Sequence, residues 1–202
     1  MITIVDYGMG NLGSIQNILK RIGIKSNIES CIDKIQKAKK LILPGVGSFD
    51  RAMRKINEGD LRQVLNNLVL IDGVPVLGIC LGMQIMSSKS EEGQLNGLNW
   101  IPAITKKLIT NKHFKVPQMG WNFVEKTNNS PLNAGINSES KFYFAHSYYV
   151  QVKYNEHSIL KTNYILNFDS GIQKDNIFGV QFHPEKSQKT GQILFRNFLS
   201  IS

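Results

Sequence analysis

The stretch Val74-Pro75-Val76-Leu77-Gly78-Ile79-Cys80-Leu81-Gly82-Met83-Gln84 decides the fold. Its first half is a short apolar run, β-branched at Val74, Val76 and Ile79, which reads as a strand buried on both faces. Gly78 and Gly82 bracket Cys80, and Met83-Gln84-Ile85-Met86 is a helix-forming stretch. Strand, tight turn and helix with a nucleophilic residue between glycines is the nucleophile-elbow pattern, with Cys in place of Ser. The glycines are expected to let the backbone turn sharply and to leave room beside the sulfur. The Leu81 N–H is expected to point at the sulfur and its adduct, and a helix N-terminus there favours thiolate over thiol. A lone Cys is more often a buried core thiol. Two flanking glycines argue against that here, because a core strand gains nothing from them. A nucleophile of this kind needs a base, to be found elsewhere in the chain.

Outward from the elbow, strands and helices alternate. Ile2–Val5 reads as a first strand, followed by the glycine loop Asp6-Tyr7-Gly8-Met9-Gly10-Asn11. Leu12, Ile15, Leu19 and Ile22 recur at helical spacing up to Gly23. A strand over 25–29, a short helix over 32–37 and a strand Leu41-Ile42-Leu43 follow. The last of these exits into Pro44-Gly45-Val46-Gly47-Ser48-Phe49. Residues 50–70 read as helical with a break near Gly59. Beyond the elbow the chain is more β-like, with strands expected over 104–108, 121–126, 142–152 and 177–182. A closing amphipathic helix is expected over 187–199, with Ile193, Leu194 and Phe198 as its apolar positions. This pattern predicts an α/β fold: a doubly wound, mostly parallel sheet flanked by helices, with a smaller antiparallel β region in the C-terminal half. There are no repeats or linker-like tracts, so 1–202 is expected to be one domain. Three glycine-rich strand exits, at Asp6, Pro44 and Cys80, fall where ligands bind such sheets.

The totals narrow the function. The 202 residues, 42% of them hydrophobic, suffice for a full α/β core. No apolar run is long enough to span a bilayer, and Met1–Asp6 reads as a strand rather than a signal peptide. Cys31 and Cys80 form no metal-ligand pattern, and a reduced cytoplasmic protein is the expectation. The net charge of +9 comes from scattered Lys residues. It is read as a solvated surface, with an acidic protein partner second and nucleic acid a distant third.

The base is sought at Gln181-Phe182-His183-Pro184-Glu185-Lys186-Ser187. In extended geometry His183 and Glu185 share a face. A Glu so placed accepts a hydrogen bond from the far imidazole nitrogen and completes a Cys-His-Glu triad. Alone, a His-Pro-Glu string is weak evidence; with an elbow that lacks only a base, it is strong. His157 sits among polar residues and is expected to be exposed, and His113 lies in a Lys-rich stretch. His146, in Phe144-Ala145-His146-Ser147-Tyr148-Tyr149, is the serious rival, but no carboxylate lies near it in sequence, and this segment reads as a substrate-binding edge.

These residues resemble the class I (triad-type) glutamine amidotransferases. Within that family they are similar to the glutaminase subunits of imidazole glycerol phosphate synthases. The resemblance covers essentially the whole chain. It is carried by residues 6–11, 44–49, 78–84, Met119-Gly120-Trp121-Asn122, 146–149 and 181–187. It implies hydrolysis of glutamine to glutamate without a cofactor or metal, the ammonia passing to a partner. Cys80 would be the nucleophile, His183 the base and Glu185 its orienter. Val46 and Leu81 would supply the oxyanion hole, and Gly47, Gln84, Ser147 and Tyr148 would bind the glutamine. The implied partner is a (β/α)8 barrel cyclase, forming a heterodimer through Met119, Trp121, Asn122, Tyr143 and Lys186, with neither nucleic acid nor membrane involved. Two positions depart from the pattern. Gln118 stands where His is expected, and Tyr164 is followed by Ile165 where Gly is usual. A paralogous group supplies ammonia to a similar barrel for amidination of surface sugars, and Gly97–Ile101 and Lys174–Ile177 fit that group as well. A non-catalytic module of this fold would show a broken triad, and an independent Cys hydrolase would need no partner surface.

Overall fold

The computed structural model describes residues 1–110 and 112–201; the expected domain end at Ser202 lies outside them. The first half builds as expected. β1 (Ile2–Val5) leads into α1 (Leu12–Arg21), β2 (Ser26–Glu29), α2 (Ile32–Ile35) and β3 (Leu41–Gly45). Then come α3 (Phe49–Asn57), α4 (Leu61–Asn66) with a π-helical extension over Asn67–Ile71, β4 (Val76–Cys80) and α5 (Leu81–Gln84). The break between α3 and α4 contains Gly59 at φ +58. The second half carries β5 (Lys89–Ser90), β6 (Ala103–Lys107), β7 (Gln118–Phe123), β8 (Glu125–Lys126), β9 (Lys141–His146) and β10 (Tyr148–Val152). β11 (Ser158–Tyr164), β12 (Leu166–Lys174), β13 (Ile177–Val180) and α6 (Gln188–Ser200) complete it.

Among the described residues eleven strands form one sheet, with the main path β2-β1-β3-β4-β13-β12-β10-β6-β5. The run from β2 to β13 is parallel. β12 and β10 then turn antiparallel. β7 and β9 form a separate two-stranded antiparallel sheet. Alternate residues of the parallel strands enter two cores. Leu41, Leu43 and Val76 pack with Phe49, Met53 and Val64 of α3 and α4. Ile42, Leu77 and Ile79 pack with Ile15 and Leu19 of α1 and with Leu194, Phe195 and Phe198 of α6. Period-2 alternation feeding helices on both faces is what makes the sheet doubly wound. Among the described residues no helix is long and apolar enough to cross a membrane.

Four expectations need correction. Residues 142–152 are two strands, not one: β9 belongs to the small sheet and β10 to the large one, with the switch at Ser147. The strand expected over 121–126 starts at Gln118 and splits, because Val124 is fully buried and β8 leaves the small sheet to pair with β11. Ile193 is 36% exposed, and Phe195 takes the buried position instead. The hairpin β11–β12 was not anticipated; its connection is the single residue Ile165 at φ +49.

Candidate active site

Three parallel strands deliver their C-terminal ends to one place. Gly45 at the end of β3 is in register with Cys80 at the end of β4. The Tyr7 hydroxyl, just past β1, donates to the Pro44 carbonyl and ties the first exit to the second. Cys80 is the turn itself, with φ +55 and ψ −111, conformations that L-residues rarely adopt. The glycines serve close packing rather than the turn. A Cβ on Gly82 would lie 1.8 Å from the Leu43 carbonyl oxygen, and one on Gly78 would lie 2.7 Å from the Gly82 carbonyl. They let the four-residue α5 sit directly against β3 and β4, so the left-handed strain falls on the cysteine.

His183 follows β13, the strand beside β4. Its backbone N–H donates to the Tyr143 carbonyl at 2.8 Å, and the buried Ser187 hydroxyl donates to its carbonyl at 2.6 Å. Ser187 Oγ also accepts from the Tyr143 N–H, so β9 and the His183 turn are laced together. Beneath the turn the Phe142 and Phe182 rings stack at 3.9 Å. Pinned in this way, the His183 Nδ1 lies 2.7 Å from Glu185 Oε1, with both side chains at most 5% exposed. The imidazole also faces Cys80 across a shared cavity. Burial works against the charged imidazole, but the bonds and charges of Cys80 and Glu185 outweigh it and push His183 up to about 10. Such a ring holds a proton beside the sulfur.

The rival His146 is buried and differently employed. Burial pulls it down to about 4, against a raising bond to Tyr148 and with a further lowering from His183. Its Nδ1 lies 2.8 Å from the Tyr148 carbonyl, which can only accept, so Nδ1 carries the proton. Its Nε2 lies 3.0 Å from the Gln118 side-chain amide. The Gln118 atom placed there is Oε1, which can only accept; a neutral ring is served once the amide turns to present its NH2. Gln118, at the position where His is usual, is thereby the partner of the second histidine. His157, expected to be exposed, is half-buried against Tyr154. His113 is exposed.

Cys80 and His183 border a cavity of about 370 Å³ that is also lined by Val46, Gly47, Leu81, Gln84, Ser147 and Tyr148. Every expected glutamine-site and oxyanion residue therefore meets at one cavity, and Glu185 stands behind His183. Gln84 spends both amide protons inside the protein, on the Tyr148 carbonyl (3.0 Å) and on Gln181 (3.1 Å), leaving its oxygen for a ligand. Of the expected partner residues, Met119 and Lys186 reach the cavity rim. Trp121 meets the Tyr143 ring edge-on, and the Lys186 ammonium lies 5.4 Å from the same ring centre. Asn122 points away from them, donating to the Asn163 carbonyl. Sequence reasoning missed Glu92, which lines the cavity and accepts from the Phe49 N–H at 2.8 Å. Burial raises its carboxyl above the usual range. The signal was a Glu91-Glu92-Gly93 turn just after a strand too short to recognise.

The chain matches the family model for class-I glutamine amidotransferases over residues 3–201. It is 48% identical to the imidazole glycerol phosphate synthase subunit HisH 2 of Methanococcus maripaludis, over 98% of each chain. It is 44% identical to the subunit of the same name from Pseudomonas aeruginosa, over the full length of both. Among solved structures, PurLQS from Thermotoga maritima superposes with a TM-score of 0.76 at 18% identity, covering 98% of this chain and 96% of that one. A glutamine amidotransferase from the same organism gives 0.65 at 15%, covering 98% and 81%.

Proposed function

The chain belongs to the class-I glutamine amidotransferase family, and from that premise we propose that it is the glutaminase subunit of an imidazole glycerol phosphate synthase, a single cytoplasmic domain that releases ammonia from glutamine for histidine biosynthesis. The observation that carries this reading is the Cys80–His183–Glu185 line opening on a cavity that a glutamine side chain fits. The Cys80 thiolate attacks the side-chain amide carbon, and the carbonyl electron pair moves to oxygen. The oxyanion is met by the N–H groups of Leu81 and Val46. His183 gives its proton to the departing nitrogen, which leaves as ammonia, and a thioester remains on Cys80. Water then attacks with His183 as base, the sulfur leaves, and glutamate is released. Glu185 keeps Nδ1 protonated and the ring aimed throughout. At the far end of the substrate the Glu92 carboxylate and the Gln84 oxygen face the α-ammonium, while Gly47, Ser147 and Tyr148 hold the carboxylate. The role in sugar amidination is not favoured: the full-length relatives carry the synthase name.

The ammonia acceptor is a second subunit, a (β/α)8 barrel cyclase in a heterodimer. Its docking site is the small sheet, where Met119 (68% exposed), Trp121 and Phe123 (each 46%) form an apolar stripe beside Tyr143 and Lys186. An exposed Trp in such a stripe is an interface anchor. Because Met119 and Lys186 border both that surface and the cavity, docking is felt at the site. The Gly45-Val46-Gly47 segment is the switch that turns the Val46 N–H toward or away from the oxyanion. A missing oxyanion donor costs about 3–4 kcal/mol, or roughly 10²–10³ in rate. Glutamate formation by the chain alone is therefore expected to rise at least that much when barrel and acceptor are added, and Trp121→Ala is expected to weaken the complex. A lone chain already at full speed would contradict the coupling and point to an independent hydrolase.

A further inference from the structure

We propose that Gln181 is a further catalytic residue of this site, its side-chain amide donating a hydrogen bond to Cys80 Sγ that stabilises the attacking thiolate; this rests on the glutaminase reading. Gln181 is fully buried and does not line the cavity, and its backbone N–H is fixed to the Ser170 carbonyl at 3.0 Å. A buried primary amide is costly unless its bonds are made, and here they leave a single orientation. The Tyr148 carbonyl can only accept, so the Gln84 atom 3.0 Å from it is the NH2. The same NH2 lies 3.1 Å from the Gln181 amide, which must answer with its oxygen. The Gln181 NH2 is then the end that faces Cys80 Sγ, at 3.7 Å. The Tyr148 carbonyl thus orients Gln84, Gln84 orients Gln181, and Gln181 donates to the nucleophile.

The sulfur's neighbours divide by ionisation state. The Ala145 carbonyl, 3.9 Å away, can only accept and so suits a thiol. The Gln181 N–H suits a thiolate, where the bond becomes charge-assisted. Unlike His183, Gln181 does not titrate, so its donor is present unchanged both when the thiolate attacks and when the sulfur departs as thiolate in the second half-reaction. The ionisable groups around the sulfur are Tyr7 beyond β1, Glu92 beyond β5, His146 at the end of β9, Tyr148 at the start of β10, and His183, Glu185 and Lys186 beyond β13. None of these takes the place of the Gln181 donor.

The test is alkylation of Cys80 by iodoacetamide against pH, on the full chain carrying Cys31→Ser, because Cys31 is exposed and would react. Gln181→Met removes both amide bonds at similar volume. Gln181→Glu keeps an acceptor for Gln84 and puts an oxygen at the sulfur. The Met variant is expected to react about tenfold more slowly at neutral pH and to reach half-maximal rate about one pH unit higher. The Glu variant is expected to move the profile further in the same direction. Melting temperatures measured alongside separate this from a packing role. Variants that melt earlier but keep the parent's alkylation profile would overturn the proposal. No glutamine enters this assay, so it stands apart from the glutaminase reading, whose failure would instead show as absent glutamate formation.

Discussion

At the residue scale, the two buried histidines do opposite work, and substitution separates them. His183→Asn removes the proposed proton carrier and is expected to cost on the order of 10³ or more in the glutaminase rate. His146→Asn is expected to cost far less, mainly through glutamine binding, since both His146 ring nitrogens are engaged within the protein. Initial rates of glutamate formation by each variant in the complex check this, and the reverse ranking would reassign the base. The same pair shapes stability against pH. The folded protein lowers His146 to about 4, so between that value and the ordinary 6.5 the unfolded chain binds a proton that the folded chain does not. His146 therefore costs no stability above 6.5 and progressively more as the pH falls toward 4. His183, raised to about 10, contributes stability fully below 6.5 and loses it as the pH rises toward 10. His146→Asn is expected to flatten the acid side by about 2 kcal/mol between roughly pH 7.5 and pH 5. Urea titrations at the two pH values read this directly, and an unchanged slope would show that His146 is not held neutral.

At the element scale, the elbow depends on how closely α5 approaches β3. Gly82→Ala drives a Cβ onto the Leu43 carbonyl and is expected to cost about 3 kcal/mol or more. Gly13→Ala in α1 meets nothing within 4 Å and is expected to gain about 0.5–1 kcal/mol. Urea midpoints compare the two, and equal effects would mean that close packing is not what Gly82 provides. This elbow was legible in the sequence because its parts are adjacent: a buried strand, a nucleophile and two glycines. The parallel half was legible because each strand and helix keeps one clean period. The hairpin β11–β12 was not, because its turn residue is Ile165. A β-branched residue at φ +49 carries no turn signal, where glycine would have announced the turn at no strain. Nor was the split at Ser147 legible, since Phe142 to Val152 alternates like one strand and only the pairing divides it. Glu92 and Gln181 were missed for a related reason. Their roles arise from contacts across the sheet edge, 43 residues away for the Glu92 bond to Phe49 and 101 for the Gln181 bond to Cys80.

At the scale of the whole molecule, the proposed function gives one sheet two tasks. Its parallel strands end at the cavity proposed to make ammonia, and its antiparallel flank leads to the small sheet proposed to receive the acceptor subunit. If that division holds, the thiol serves only to generate ammonia, and nothing downstream depends on it. The most direct test uses Cys80→Ala in the assembled complex, with product formation driven first by glutamine and then by added ammonium. Glutamine-driven synthesis is expected to vanish while ammonium-driven synthesis continues at the parent rate. Equal loss of both would contradict the account, because Cys80 would then be needed for more than the release of ammonia.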